Sequence, residues 1–158
     1  CHYNFDEKLK FYESKGVLIP SHDIIKTPEQ IAGIKESAKV NIEILDYVAE
    51  HIKEGVTTQE IDNWVADITA KAGAVAAPLN YDGFPKSVCT SINEQVCHGI
   101  PSEDIVLKEG DIINVDVSTI LNGYYSDSSV CFALEMSARK RRSWWKSHVS
   151  AWRRAWNR

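Results

Sequence analysis

At 158 residues, with 44% hydrophobic and 25% charged side chains, the chain has the length and apolar content to bury one core, which excludes a disordered or low-complexity protein. No apolar run approaches the roughly 18 residues of a membrane-spanning helix, and no basic-then-apolar leader opens the sequence, so neither a membrane span nor a secretory signal is expected. The net charge of −4 is unevenly spread: residues 130–158 carry +7 and residues 1–129 carry −11. The four cysteines, Cys1, Cys89, Cys97 and Cys131, stand in no small-scaffold pattern and read as reduced thiols of a cytoplasmic protein.

The first residue is not methionine, and the chain is expected to have been cut or to begin partway through a longer frame. Residues 1–24 read as an N-terminal extension; charge and aromatics mix there without a sustained period, and Pro20-Ser21 interrupts them. Thr27-Pro28-Glu29-Gln30 then opens a helix, with Thr27 as cap, Pro28 where a missing N–H does no harm, and Gln30 completing a capping box. Ile31, Ile34, Ala38, Leu45, Val48, Ala49 and Ile52 give it an apolar stripe, and Gly55 is the expected stop. A second capping box, Thr57-Thr58-Gln59-Glu60, starts a helix striped by Ile61, Trp64, Val65, Ile68 and Ala72 and ending at Gly73. His51 and Trp64 are assigned no chemistry.

Short strands and turns follow from Val75. Asp82-Gly83 and Pro85 mark a turn, and Ser87–Ile92 with Gln95–His98 predicts a hairpin about Asn93-Glu94. Lys108–Asp111 turns the chain into a strand, Asp111–Val117, that carries Asp116 in its middle. Asn122-Gly123 is a strong hairpin signal, because a type I′ turn needs positive φ at both central residues. A two-residue loop pairs Leu121 with Tyr124, Thr119 with Ser126 and Asp116 with Ser129. Asn114, Asp116, Ser118, Asp127 and Ser129 then share one face, and Ile113, Val115 and Val117 line the other. Asp116 and Asp127 become diagonal neighbours able to converge. Two carboxylates about 5 Å apart repel by roughly 3 kcal/mol at an effective dielectric near 20, which a bound cation or a proton relieves. An ordinary hairpin with a solvated polar face is the alternative, and a three-residue loop would part the two acids.

From Lys26 to Ser129 the sequence resembles the type I methionine aminopeptidases, which have the pita-bread metallopeptidase fold. The resemblance rests on Gly83-Phe84-Pro85-Lys86-Ser87-Val88-Cys89, Asn93-Glu94, Cys97-His98-Gly99-Ile100-Pro101, Gly110–Val117 and Asn122-Gly123-Tyr124, in that order. It implies an α+β fold with helices on one face of a curved antiparallel sheet, of which residues 25–129 are the N-terminal half. It also implies that Asp116 binds one metal, that Asp127 bridges two, that His98 contacts substrate near the scissile amide, and that Tyr81, Phe84 and Cys89 line a methionine pocket. No residue here is assigned a catalytic proton transfer, and Asp82 is left without a role. A complete relative is expected to hold two divalent ions (Co, Mn, Fe or Zn) through two aspartates, a histidine and two glutamates, activating a water whose pKa falls towards roughly 7. With only Asp116 and Asp127 of that set, the chain as given is expected to bind metal weakly and to lack activity. The expected partners are nascent peptides with N-terminal methionine near the ribosome, and an exposed half-sheet would favour self-association. Cys1-His2 reads as plain tail or as the remnant of a zinc-binding knuckle that some relatives carry.

Residues 130–158 form a basic tail holding Trp144, Trp145, Trp152 and Trp156. Such a segment suits an anionic membrane surface or unpaired nucleic-acid bases. The reading favoured here is a frameshifted end, because Arg-Met-Phe-Cys, common in relatives at this point, gives Val-Cys-Phe-Ala when its codons are read one nucleotide out of phase, as in Val130–Ala133. The rival functional reading is a non-catalytic pita-bread protein whose basic tail contacts RNA or an anionic surface.

Overall fold

The computed structural model describes residues 5–19 and 24–134, so Cys1-His2 and the tail from residue 135 onward lie outside the described residues. The chain divides into two units, Cys1–Ile31 and Ala32–Arg158. In the first, Phe5–Ser14 forms helix α1, where the sequence pattern predicts no helix. Its signal is local: Gly16, at φ 74°, follows the last turn, and the Gly16 and Val17 amides return to the Glu13 and Tyr12 carbonyls.

Helix α2 spans Pro28–His51 and begins at the expected capping box. The Thr27 amide donates to Gln30 Oε1 at 2.9 Å, and the Gln30 amide donates to Thr27 Oγ1 at 3.3 Å. The inward face of α2 is Ser37, Val40, Asn41, Ile44, Leu45 and Val48; Leu45 and Val48 belong to the predicted stripe, Ile34, Ala38 and Ile52 are half-buried, and Ile31 and Ala49 are exposed. Ser37, Val40, Asn41 and Ile44, absent from that stripe, complete the face, so the predicted stripe was turned partly away from the core. Helix α3, Thr58–Lys71, starts at the capping box of Thr57 and Glu60 and buries Ile61 and Val65 together with Thr58, Asp62 and Thr69. Trp64 meets Tyr47 edge-on and Tyr47 stacks on His51, an aromatic contact that accounts for both residues without chemistry.

Four antiparallel strands form the sheet: β1 (Val75–Ala76), β2 (Cys89–Ile92), β3 (Ile112–Leu121) and β4 (Tyr124–Ala133). β1 and β2 share one edge of β3, and β4 takes its other edge over the full length. The β3–β4 loop is the two-residue Asn122-Gly123 turn, with φ of 52° and 82°, and pairs Leu121 with Tyr124, Thr119 with Ser126 and Asp116 with Ser129 as expected. Ile113, Val115 and Val117 are fully buried and pack with Val40, Ile44 and Val48 of α2 and Ile61 and Val65 of α3. Helices α2 and α3 thus cover one face of the sheet, and the face bearing the aspartates is left open to a cavity.

One local expectation is corrected. Residues 95–98 form no strand: β2 pairs with β3 instead, through Cys89–Asp116 to Ile92–Ile113. The Gln95 amide closes a turn onto the Ile92 carbonyl, and Asn93 turns outward to bridge Asp111 and the Ile112 amide. β4 also continues past Ser129, with Val130–Ala133 in register against Ile112–Val115, because these four residues suit a strand whatever their origin.

A helix-to-hairpin polar network fixes this arrangement. Thr119 Oγ1 donates to Asn41 Oδ1 at 2.6 Å and lies 2.9 Å from Ser126 Oγ, which lies 2.9 Å from Ser37 Oγ. Asn41 Nδ2 donates to the Val117 carbonyl at 2.9 Å and to Ser128 Oγ at 3.3 Å. Ser37, Asn41, Thr119 and Ser126 are buried with partners, which ties the two strands carrying the aspartates to α2. Nearby, Gly33 of α2 lies against the Tyr124 ring, where any Cβ would collide.

Candidate metal and substrate cavity

Alternation along β3 and β4 puts Asp116 and Asp127 on the same side of the ribbon. The Cα partner of Asp127 is Ser118 and that of Asp116 is Ser129, so the acids sit diagonally across the ladder. Ser118 Oγ donates to Asp127 Oδ1 at 2.6 Å, the short distance of a charge-assisted hydrogen bond.

Both carboxylates open into a cavity of about 690 Å³. All six residues singled out from the sequence line it: Tyr81, Phe84, Cys89, His98, Asp116 and Asp127. Pro78, Ile100, Ser118 and Tyr125 complete much of the wall. Tyr125 was missed, although strand parity places it on the face of Asp127, two positions before it.

Each wall is positioned by an identifiable local device. Tyr81–Gly83 is a tight turn in which Asn80, Asp82 and Gly83 all have positive φ, and the Asn80 amide closes it onto the Phe84 carbonyl at 2.8 Å. His98, itself at φ 55°, is carried to the cavity by Gly99. The Thr90 amide donates to the Gly99 carbonyl at 2.9 Å, and a Cβ on Gly99 would collide with the Thr90 carbonyl. Only glycine permits that approach.

The electrostatics are one-sided. Among the cavity-lining residues are Asp82, Asp116 and Asp127 and neither lysine nor arginine. Burial, and then the Asp127 charge, hold the Asp116 carboxyl above its ordinary range, with His98 pulling the other way. Burial, followed by the charges of Asp116, Cys97 and Asp127, pushes the Cys89 thiol up to about 11. Cys89 is therefore a neutral, apolar wall group at physiological pH.

Two hard oxygen donors facing one cavity without a counter-cation fit part of a divalent-metal site. Among the described residues no group of three or more His, Cys, Asp and Glu side chains is set to hold an ion, so the donor set is incomplete.

Comparison with known proteins follows the same line. The model of metallopeptidase family M24 matches residues 32–157. Methionine aminopeptidase of Chlamydia trachomatis is 46% identical over 132 residues, covering 82% of this chain and 45% of that enzyme. Methionine aminopeptidase 1 of Saccharomyces cerevisiae is 50% identical over 99 residues, 63% of this chain and 25% of that one. The crystal structure of methionine aminopeptidase from Rickettsia prowazekii superposes with a TM-score of 0.71 at 42% identity, covering 75% of this chain and 48% of that chain. The chain spans less than half the length of these relatives. Over the shared part its α+β architecture is that of the pita-bread enzymes, and nothing in the comparisons supports the alternative of a non-catalytic binding protein. No helix among the described residues is long and apolar enough to cross a membrane. The match over most of its length, on a fold that gathers two carboxylates beside an apolar cavity, makes the chain a member of metallopeptidase family M24.

Proposed function

We propose that residues 25–129 are the N-terminal half of a methionine aminopeptidase, a metal-dependent exopeptidase that removes methionine from the N-terminus of nascent proteins. The observation that carries this reading is the convergence of Asp116 and Asp127 on the cavity that Tyr81, Phe84, Cys89 and His98 also line. In this reading Asp116 and Asp127 hold divalent ions, of which Co, Mn, Fe and Zn are the candidates. Bound there, such ions supply Lewis-acid polarisation of the scissile carbonyl and lower the pKa of a water.

The chain's own side chains do the rest of the positioning. Ser118 fixes the orientation of the Asp127 carboxylate through its 2.6 Å hydrogen bond. Phe84, Tyr81 and the neutral Cys89 thiol form the apolar wall for a methionine side chain, and His98 faces the amide. The remaining donors lie outside the described residues, and the tail from 135 offers only Glu135 and His148. The 158-residue polypeptide by itself is therefore expected not to turn over. The proposed setting is the cytoplasm near nascent chains, in keeping with the free thiols of Cys89, Cys97 and Cys131. The outer edge of β4 pairs with no strand among the described residues, which favours self-association.

A chimera tests this. Residues 32–129 joined to the second half of the Chlamydia trachomatis enzyme should, with manganese, release methionine from a Met-Ala-Ser peptide, and Asp116→Asn should abolish that release. A folded chimera that binds manganese yet leaves the peptide intact contradicts the reading. So does enzyme-like methionine release by the 158-residue chain alone.

A further inference from the structure

Among the described residues Asp62 is a buried carboxylate that the proposed mechanism does not use, only 7% exposed on the inner face of α3. It is held by hydrogen bonds alone. Its Oδ1 accepts from the backbone amide of Ser87 at 2.7 Å, and its Oδ2 accepts from Gln59 Nε2 at 3.2 Å. The same Gln59 accepts from Lys86 Nζ and donates to Asn63 Oδ1 at 2.9 Å. Asp62 and Gln59, one helical turn apart, therefore grip the consecutive residues Lys86 and Ser87.

Those residues join two parts of the cavity wall. Phe84 and Pro85 line it on one side of the grip, and Cys89 lines it on the other, where β2 begins against Asp116. Between the turn at Tyr81–Gly83 and the start of β2 the chain has no regular structure. Ser87 is itself buried, and its amide would otherwise be a buried donor without a partner. The position of the Phe84-Pro85 wall relative to the two aspartates is thus set from α3, on the far side of the sheet segment.

We infer that Asp62 is a positioning residue for the cavity: its carboxylate clamps the Ser87 backbone amide, with Gln59 beside it holding the Lys86 side chain, and so fixes the apolar wall that selects the substrate side chain. The clamp follows from the hydrogen bonds; its role in side-chain selection rests on the aminopeptidase reading. Asp62→Asn keeps an acceptor for the Ser87 amide, whereas Asp62→Ala removes it.

The test is amide hydrogen exchange of the full chain, with binding of L-methionine followed by amide shifts of Phe84 and Cys89. A control, Val65→Ala, weakens the core from the same helix without touching the clamp. Asp62→Ala should speed exchange at Ser87 and its neighbours by about tenfold or more beyond the change at core amides of β3, with Asp62→Asn close to wild type. Val65→Ala should change exchange globally, with no excess at Ser87. Should Asp62→Ala fail to fold, the Asn variant carries the test through methionine affinity, which is expected within about threefold of wild type. Exchange at Ser87 that follows the core in Asp62→Ala, or that is as fast in Asp62→Asn as in a clamp-free chain, overturns the inference. If wild type binds no methionine while the Ser87 effect is present, the clamp stands and its role in side-chain selection is overturned for this chain, whereas failure of the aminopeptidase reading is read from the chimera.

Discussion

Ser118 and Asp127 face each other across the β3–β4 ladder, and the serine hydroxyl donates to the carboxylate at 2.6 Å. One of that carboxylate's oxygens is thereby oriented, on a side chain that lines the cavity with Asp116. Groups that orient a metal-binding side chain commonly change affinity by an order of magnitude. Ser118→Ala should therefore weaken manganese binding by about tenfold, and Ser118→Thr should restore most of it. Titration followed by electron paramagnetic resonance distinguishes them; equal affinity in all three chains would show the hydroxyl to be irrelevant.

Asp116 yields a pH dependence of the less usual sign. Its folded-state pKa is raised above 3.8, first by burial and then by Asp127. Ionisation is thus disfavoured in the folded chain. This group's contribution to stability is greatest while it is protonated and is lost as pH rises through the raised value. The difference in urea midpoint between Asp116→Asn and wild type should grow from acid towards neutral pH, in favour of the variant. Manganese should shrink it at the neutral end. A difference that runs the other way contradicts the electrostatic picture of the site.

The cysteines should separate by reactivity. Cys97 and Cys131 are exposed, whereas Cys89 is buried with its thiol pushed from 9.0 to about 11. At equal access the shift alone cuts its thiolate population near neutral pH about a hundredfold. Brief alkylation at pH 8, read peptide by peptide in a mass spectrometer, should label Cys97 and Cys131 first. Labelling of Cys89 at a matching rate would mean that the cavity wall is open.

The polar network under the hairpin predicts unequal costs. Asn41 joins Thr119, the Val117 carbonyl and Ser128, so Asn41→Ala leaves buried groups unpaired and should lower unfolding free energy by about 2–3 kcal/mol. Ser128 makes only the 3.3 Å contact to Asn41 in that network, and Ser128→Ala should cost under about 1 kcal/mol. Urea denaturation measures both, and near-equal losses would argue against the network as the anchor of the hairpin.

Much of this was legible in the residues. Asn122-Gly123 dictates a type I′ turn, and that turn alone sets the ladder register and hence the shared face of Asp116 and Asp127. The two capping boxes likewise announce α2 and α3. Period counting missed the apolar Val40 and Ile44 of α2, and with them three polar residues: Ser37 and Asn41 on the buried face of α2, and Asp62 on that of α3. For the polar three the reason is physical. Their burial is compensated by partners distant in sequence, Thr119 and Ser126 in one case and Ser87 in the other, which no local pattern reveals. Residues 95–98 were misread because a turn signal at Asn93-Glu94 says that the chain reverses, not which strand β2 pairs with. Tyr81, Phe84, Cys89 and His98 were found through family resemblance and not from spacing, since their meeting depends on the folded sheet.

The central claim is that Asp116 and Asp127 serve a common cation, and manganese titration of the 158-residue chain tests it most directly. The account predicts weak binding, with a dissociation constant of roughly 10⁻⁴–10⁻³ M. Asp116→Asn and Asp127→Asn should each abolish it, and the double variant should lose nothing further. Binding that survives either single substitution, losses that simply add, or no binding to the wild-type chain would contradict it.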